Sequence, residues 1–277
     1  MDKTLMLYHS GVGSTKMISQ LISEKLTTRT EVRAISIEDI KDFSLLEDYT
    51  ILCIGFPTYH ASPSKTMTKF ISILPYFENP KFVFAYTTCG FYSANTLRIF
   101  AKQCKEKNLI VVYSQSYLSP ATDGILISPN IKIFLDFEKG LLNKIDSDIE
   151  NFFLILQFCE FPHKLPKFKL CSILNYPNKL LGSVYKPKIY YFENLCCHCN
   201  NCIIQCPNNC LSFDSNKALQ HFKNDCEHCY RCIHYCQKKA LSLDKQHSPK
   251  KQFDLEFWKN KKTQFDLEFW KNKKNQY

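Results

Sequence analysis

Cysteines spaced as Cys196-x2-Cys199-x2-Cys202-x3-Cys206 recur thirty residues later as Cys226-x2-Cys229-x2-Cys232-x3-Cys236, and this repeat constrains the fold more than any other feature of the chain. Three thiolates two residues apart can wrap a compact turn around three corners of an iron-sulfur cubane, leaving the fourth corner to be filled from elsewhere. A zinc site instead draws its four ligands as two pairs, whereas each run here adds a third cysteine at x2 and a fourth at x3. Disulfide frameworks belong to small secreted domains. Ten of the 15 cysteines crowd between Cys196 and Cys236 of a 277-residue chain, which marks a metal-holding segment in a reducing compartment. Cys197 and Cys210 lie beside the motif without fitting its spacing and read as non-ligands.

The formal net charge of +10 invites a nucleic-acid reading. Eight cluster thiolates and two oxidised cubane cores would bring it to about +6. Much of the remainder lies in residues 248–277, with eight lysines against four acids. No nucleic-acid module accompanies these charges, so no nucleic-acid partner is expected; a basic surface suits an acidic redox partner that docks electrostatically. The opening residues are too soon interrupted for a signal peptide, and no apolar stretch reaches the length of a membrane span. A cytoplasmic location without a membrane span is the expectation.

Before the cysteines, short apolar runs alternate with helical patterns: strands at Thr4–His9, Glu31–Ile37, Thr50–Phe56, Phe82–Tyr86 and Leu109–Ser114, and helices at Lys16–Lys25, Lys65–Leu74 and Asn95–Lys105. That alternation predicts a doubly wound α/β fold, a parallel sheet with helices on both faces. The first strand ends in Ser10-Gly11-Val12-Gly13-Ser14-Thr15, directly before a helix with apolar positions Met17, Ile18, Leu21, Ile22 and Leu26. Glycines there let backbone N–H groups approach a phosphate at a helix N-terminus, and Ser10, Ser14 and Thr15 can add hydroxyl donors. Two further loops follow central strands. Thr58 and Tyr59 lie in the first, where Tyr59 could stack on a flavin ring and His60 could serve as a proton donor. Thr88, Gly90 and Phe91 lie in the second, where Gly90 permits close approach and Phe91 or Tyr92 offers another aromatic face. Covering the sheet edge is the alternative role for these aromatics. Cys89, alone in its loop, reads as inert.

The loop Ser10 to Thr15 resembles the flavodoxin phosphate loop, from which Val12 departs by putting a methyl where a hydroxyl is usual. The eight cysteines resemble those of bacterial two-cluster ferredoxins; Pro207 follows the first run as in that pattern, while Gln237 stands in place of the second proline. Together the chain resembles the fused flavodoxin/ferredoxin proteins called ferrodoxins. The resemblance implies a flavodoxin-like domain binding FMN and a small α+β domain with two 4Fe-4S clusters. One cluster would take Cys196, Cys199, Cys202 and Cys236, and the other Cys226, Cys229, Cys232 and Cys206, because the fourth cysteine of each run serves the opposite cluster.

The expected division is a flavodoxin-like domain over 1–160, a proline-broken linker over 161–192, a ferredoxin domain over 193–246 and a basic tail over 247–277. Residues 136–159 carry a helical stripe suited to a last helix over the sheet. In the tail, Gln252–Lys262 recurs as Gln264–Lys274. A twelve-residue shift turns equivalent positions by about 120° on a helix, so the expectation is that the first copy docks through Phe257 and Trp258 while the second hangs free. The leading functional expectation is an electron-transfer relay between FMN and the clusters, with a protein donor or acceptor. Its rivals are a flavin-dependent reductase of a small quinone or nitro acceptor, and a ferredoxin with an FMN-free docking domain. If the modules are independent, Cys202→Ala removes one cluster and leaves flavin bound.

Overall fold

In a computed structural model, described here for residues 3–158, 165–170 and 187–274, the first half forms a parallel sheet between two helical layers. Strands β1 (Lys3–Tyr8), β2 (Glu31–Ser36), β3 (Ile51–Tyr59), β5 (Lys81–Cys89) and β6 (Leu109–Leu118) lie in the order β2-β1-β3-β5-β6, all parallel, and the short β4 (Ser62–Pro63) folds back antiparallel on β3. Helices α1 (Ser14–Leu26), α2 (Lys65–Ile73), α3 (Thr96–Lys105), α4 (Gly124–Ile127) and α5 (Leu141–Phe158) accompany them. The continuous apolar run of β3 is buried on both faces. Its Leu52, Ile54 and Phe56 pack with Met67, Phe70, Leu97 and Phe100 of α2 and α3. Ile51 and Cys53, pointing the other way, pack with α1 and α5. Because strand order reverses between β1 and β3, a crevice opens at the carboxyl ends of these strands.

The cysteine-rich segment adds β7 (Tyr190–Tyr191), α6 (Asn201–Ile204), β8 (Leu211–Phe213), β9 (Leu219–His221), α7 (Arg231–His234) and β10 (Leu241–Ser242). β7 pairs antiparallel with β10, and β8 with β9. The thirty-residue cysteine repeat is also a backbone repeat: positive φ recurs at His198 and His228, at Asn200 and Tyr230, and at Asn209 and Lys239. Of the expected linker, residues 159–164 and 171–186 lie outside the described residues. Within 165–170, the Pro166 carbonyl accepts from Arg98 at 2.9 Å, and the Lys169 amide donates to Asn95 at 2.8 Å.

The tail departs from expectation. One helix, α8 (Leu255–Lys274), runs through both copies of the repeat. Phe253 is fully buried in the first copy, and Phe265 of the second is 6% exposed, so the second copy does not hang free. Equivalent residues do turn away from one another, but non-equivalent ones align: Trp258, Lys261, Lys262 and Phe265 follow the three-four spacing of one helical face. Phe137 packs edge-on against both Trp258 and Phe265, at ring separations of 6.4 and 5.2 Å. Lys262 pairs with Glu24 of α1 at 2.7 Å, and Lys261 with Asp136.

Candidate functional site

At the carboxyl ends of β1, β3, β5 and β6 lies a cavity of about 360 Å³, within the usual size of ligand pockets. Ser10, Gly11, Val12, Ser14, Thr15, Thr58, Tyr59, Thr88, Gly90 and Phe91 all line it. Gly13, also expected there, is turned outward at φ 128°, where a Cβ would strike the Trp258 indole of α8. The hydroxyls are only partly free. Ser10 Oγ accepts from the Gly13 amide at 3.1 Å, and Thr15 Oγ1 shares a proton with Thr88 Oγ1 at 2.8 Å. Ser14 Oγ donates to the Pro120 carbonyl at 3.1 Å. Val12 packs with Ile125 and Phe253, so a methyl stands there to seat the tail. Gly90 makes its close approach to the neighbouring loop: a Cβ would come within 2.6 Å of Ala121. Burial pushes the Cys89 thiol up to about 11, in keeping with an inert role.

Sequence reasoning missed two walls of this cavity. One is the loop from Ser119 to Asp123, which follows β6 four residues beyond the strand end expected from the sequence. The other is the second cysteine run itself, through His228 and Tyr230. His60 Nε2 lies 3.1 Å from His228 Nδ1. Tyr59 slips its buried hydroxyl beneath Gly11, with no hydrogen-bond partner among the described residues, and a Cβ on Gly11 would lie 3.2 Å from that of Cys229.

The junction between the halves is ionic and buried. His9, 0% exposed, bonds through Nδ1 to Glu38 at 2.9 Å and through Nε2 to Glu227 at 3.0 Å. Burial disfavours the charged ring, but the two carboxylates outweigh it and raise the pKa, so both nitrogens act as donors of an imidazolium. Glu227 also accepts from the amide and hydroxyl of Thr66, at 3.1 and 3.0 Å, in the first turn of α2. Glu38, whose side chain is 30% exposed, is held down to about 2 by hydrogen bonds from Arg231 and His9, against the partial desolvation that would raise it.

Cys196, Cys199, Cys202 and Cys236 line one cavity of about 280 Å³. Burial and the facing Cys236, Cys196 and Cys199 push the Cys202 thiol up to about 11. Burial raises the Cys232 thiol, as do Cys229, Cys226, Cys206 and Cys202, so it lies near cysteines of both runs. Backbone donors repeat with the cysteines: His198 N–H to Cys196 Sγ and His228 N–H to Cys226 Sγ, both at 3.4 Å, then Cys210 N–H to Cys206 Sγ at 3.2 Å and Ala240 N–H to Cys236 Sγ at 3.3 Å. Such bonds favour thiolate over thiol. Among the described residues no three or more His, Cys, Asp or Glu side chains converge on a point fit for a single metal ion. Ligands at the corners of a cubane have no need to. Cys210 is buried against Cys206 and Cys226, and Cys197 is exposed.

Residues 5–117 match the family described as flavodoxin domain. No curated protein sequence matches the chain. Among solved structures it is similar to flavodoxin 1 of Bacillus cereus, at 16% identity over 55% of this chain and 98% of the other, with a TM-score of 0.41. Similarity extends to a Streptococcus pneumoniae flavodoxin (14% identity, 55% and 98% covered, TM-score 0.42). A rubredoxin oxygen:oxidoreductase from Desulfovibrio gigas aligns at 12% identity, over 57% of this chain and 38% of the other, with a TM-score of 0.40. The match over residues 5–117 spans the parallel sheet as far as β6. None of the helices described is long and apolar enough to cross a membrane.

Proposed function

We propose that the chain is an electron-transfer protein holding FMN in its flavodoxin domain and two 4Fe-4S clusters in its cysteine-rich module. When bound, FMN supplies one- or two-electron chemistry and each cluster one-electron transport. The reading rests chiefly on one juxtaposition: the second cysteine run lies against the phosphate loop, with Cys229 packed on Gly11 and with His228 and Tyr230 lining the flavin cavity. The amides of Gly11 and Val12 and the hydroxyls of Ser10 and Thr15 suit a phosphate, and Tyr59 and Tyr230 give the cavity aromatic walls. Thr58, Thr88, Gly90 and Phe91 complete it. Cys226, Cys229, Cys232 and Cys206 hold the cluster beside the cavity; Cys196, Cys199, Cys202 and Cys236 hold the outer one, where Cys199 is exposed to a protein redox partner. The basic surface favours an acidic partner, and thiolate ligation requires a reducing compartment, the cytoplasm on this reading.

The rival reductase needs a free protonating group over the flavin, whereas His60 is engaged with His228 and burial lowers its pKa. The FMN-free rival draws on Val12 and on Ser14 standing where asparagine is usual; the packing of Val12 against Ile125 and Phe253 accounts for the first on other grounds. Anaerobic purification followed by iron, sulfide and flavin analysis tests the reading. About eight iron and one FMN per chain are expected. Iron without flavin, even after FMN is added, would reduce the flavodoxin domain to a docking module.

A further inference from the structure

Arg231 of the second cysteine run is 6% exposed and reaches into the flavodoxin domain. Its Nε donates to the Gly11 carbonyl and its Nη2 to the Ser10 carbonyl, both at 2.7 Å. Nη1 and Nη2 also grip Glu38 at 2.6 and 2.7 Å, and Nη1 reaches the Gln205 carbonyl at 3.1 Å. The whole fork of donors is therefore engaged. Among the described residues there is no cis peptide. In a trans peptide the N–H points opposite to the carbonyl of the same unit. Turning the Ser10 and Gly11 carbonyls toward Arg231 thus turns the amides of Gly11 and Val12 the other way, and both residues line the cavity. Among the described residues neither amide has an acceptor.

We propose that Arg231 is a positioning residue for the anion site: it fixes two loop amides toward the FMN phosphate, so phosphate affinity depends on the docked cysteine run. The inference rests on the FMN reading above. It corrects the expectation of independent modules, because a coupling of this kind is reciprocal and phosphate binding must in turn favour docking. Glu38 sets the plane of the guanidinium from behind. Lysine could reach one carbonyl but could not hold two carbonyls and a carboxylate in one plane.

The test titrates the flavin-free, cluster-loaded full chain with FMN and with riboflavin, which carries the same ring and no phosphate, following flavin fluorescence. Wild type, Arg231→Lys and Glu38→Gln are compared, with iron per chain measured in each. The Kd for FMN is expected to rise about 10- to 100-fold in Arg231→Lys, as for loss of hydrogen bonds to a charged group, with riboflavin affinity unchanged. Glu38→Gln should shift FMN alone, by less. Unchanged FMN affinity, or an equal loss for both flavins, overturns the proposal. If Arg231→Lys loses iron, Glu38→Gln decides by the same criterion. Wild type that binds neither flavin overturns the FMN reading itself, a failure visible before any variant is compared.

Discussion

Removing the ring of Phe265 tests whether the second repeat copy is part of the fold. The side chain is 6% exposed and packs at 5.2 Å from Phe137, in the cluster that includes Met17, Leu21 and Phe152. Truncating a buried phenylalanine costs about 3–5 kcal/mol in transfer and cavity terms. Phe265 lies at the rim of its cluster on a helix that can undock alone, so the lower end, about 3 kcal/mol, applies. Helix docking would weaken by about two powers of ten. Hydrogen exchange read by mass spectrometry on peptides from α8 reports that opening directly. Phe265→Ala should accelerate exchange there roughly 100-fold, unless the helix already opens by a cheaper route. Leu267, two residues further along the same helix and 58% exposed, is the control. Leu267→Ala should change exchange by no more than about 0.5 kcal/mol, a factor of two or so. Equal effects from the two substitutions would refute the docked helix.

Substituting Cys199 should cost about four iron per chain and spare flavin, whereas Cys229→Ala should cost iron and weaken FMN as well, because Cys229 packs on Gly11; metal and flavin analysis of the two variants checks this, and retained FMN affinity in Cys229→Ala would contradict it. His9 has a raised pKa when docked, against 6.5 when free, so its stabilisation is full below about pH 6.5 and is lost as pH rises through the raised value. Exchange protection of residues 226–234, corrected for intrinsic rates, should accordingly fall from pH 6.5 to pH 9 in wild type and stay level in His9→Gln. Val12→Thr, which restores the usual hydroxyl, would bury it among Ile125 and Phe253 at 1% exposure. It should lower stability by about 1–2 kcal/mol without tightening FMN; a denaturation midpoint and a flavin titration check both parts.

Strands β1, β3 and β5 were legible because burial on both faces writes an unbroken apolar run. The far end of β6 was not: Tyr113, Gln115 and Tyr117 break that run, and only the fold reveals that all three donate to one buried carboxylate, Asp148, at 2.6, 2.9 and 2.8 Å. Missing that strand end hid the Ser119 loop and with it one wall of the cavity. The shared cavity of Cys196, Cys199, Cys202 and Cys236 joins the first three cysteines of one run to the fourth of the other. The docked helix was obscured because its stripe joins Trp258 of one copy to Phe265 of the next, and is visible only when followed across their junction. The ionic junction left no local mark at all: His9 and Glu227 are separated by 218 positions, and neither sits in a pattern that announces the other.

The two cysteine runs share spacing, backbone conformation and N–H···S bonds, yet differ at every residue between the first three ligands except one. The first run carries Cys197, His198, Asn200 and Asn201; the second carries Glu227, His228, Tyr230 and Arg231. Duplication sets the equivalent backbone, so the difference has to come from what each run faces. The second run is buried, and all four of its intervening side chains are turned on the flavodoxin domain: Glu227 to His9 and Thr66, His228 to His60, Tyr230 to the cavity, Arg231 to the phosphate loop. The first run keeps Cys197, Cys199 and Asn200 exposed. Charge makes this division directional. Glu227, Arg231 and His9 are buried and meet Glu38, whose side chain is 30% exposed, so losing any of the three buried members strands a charge in the junction at a cost of about 3–5 kcal/mol. No such penalty guards the residues around Cys199. Substitutions between the cysteines should therefore be tolerated in the first run and should separate the modules in the second, although both runs share one spacing.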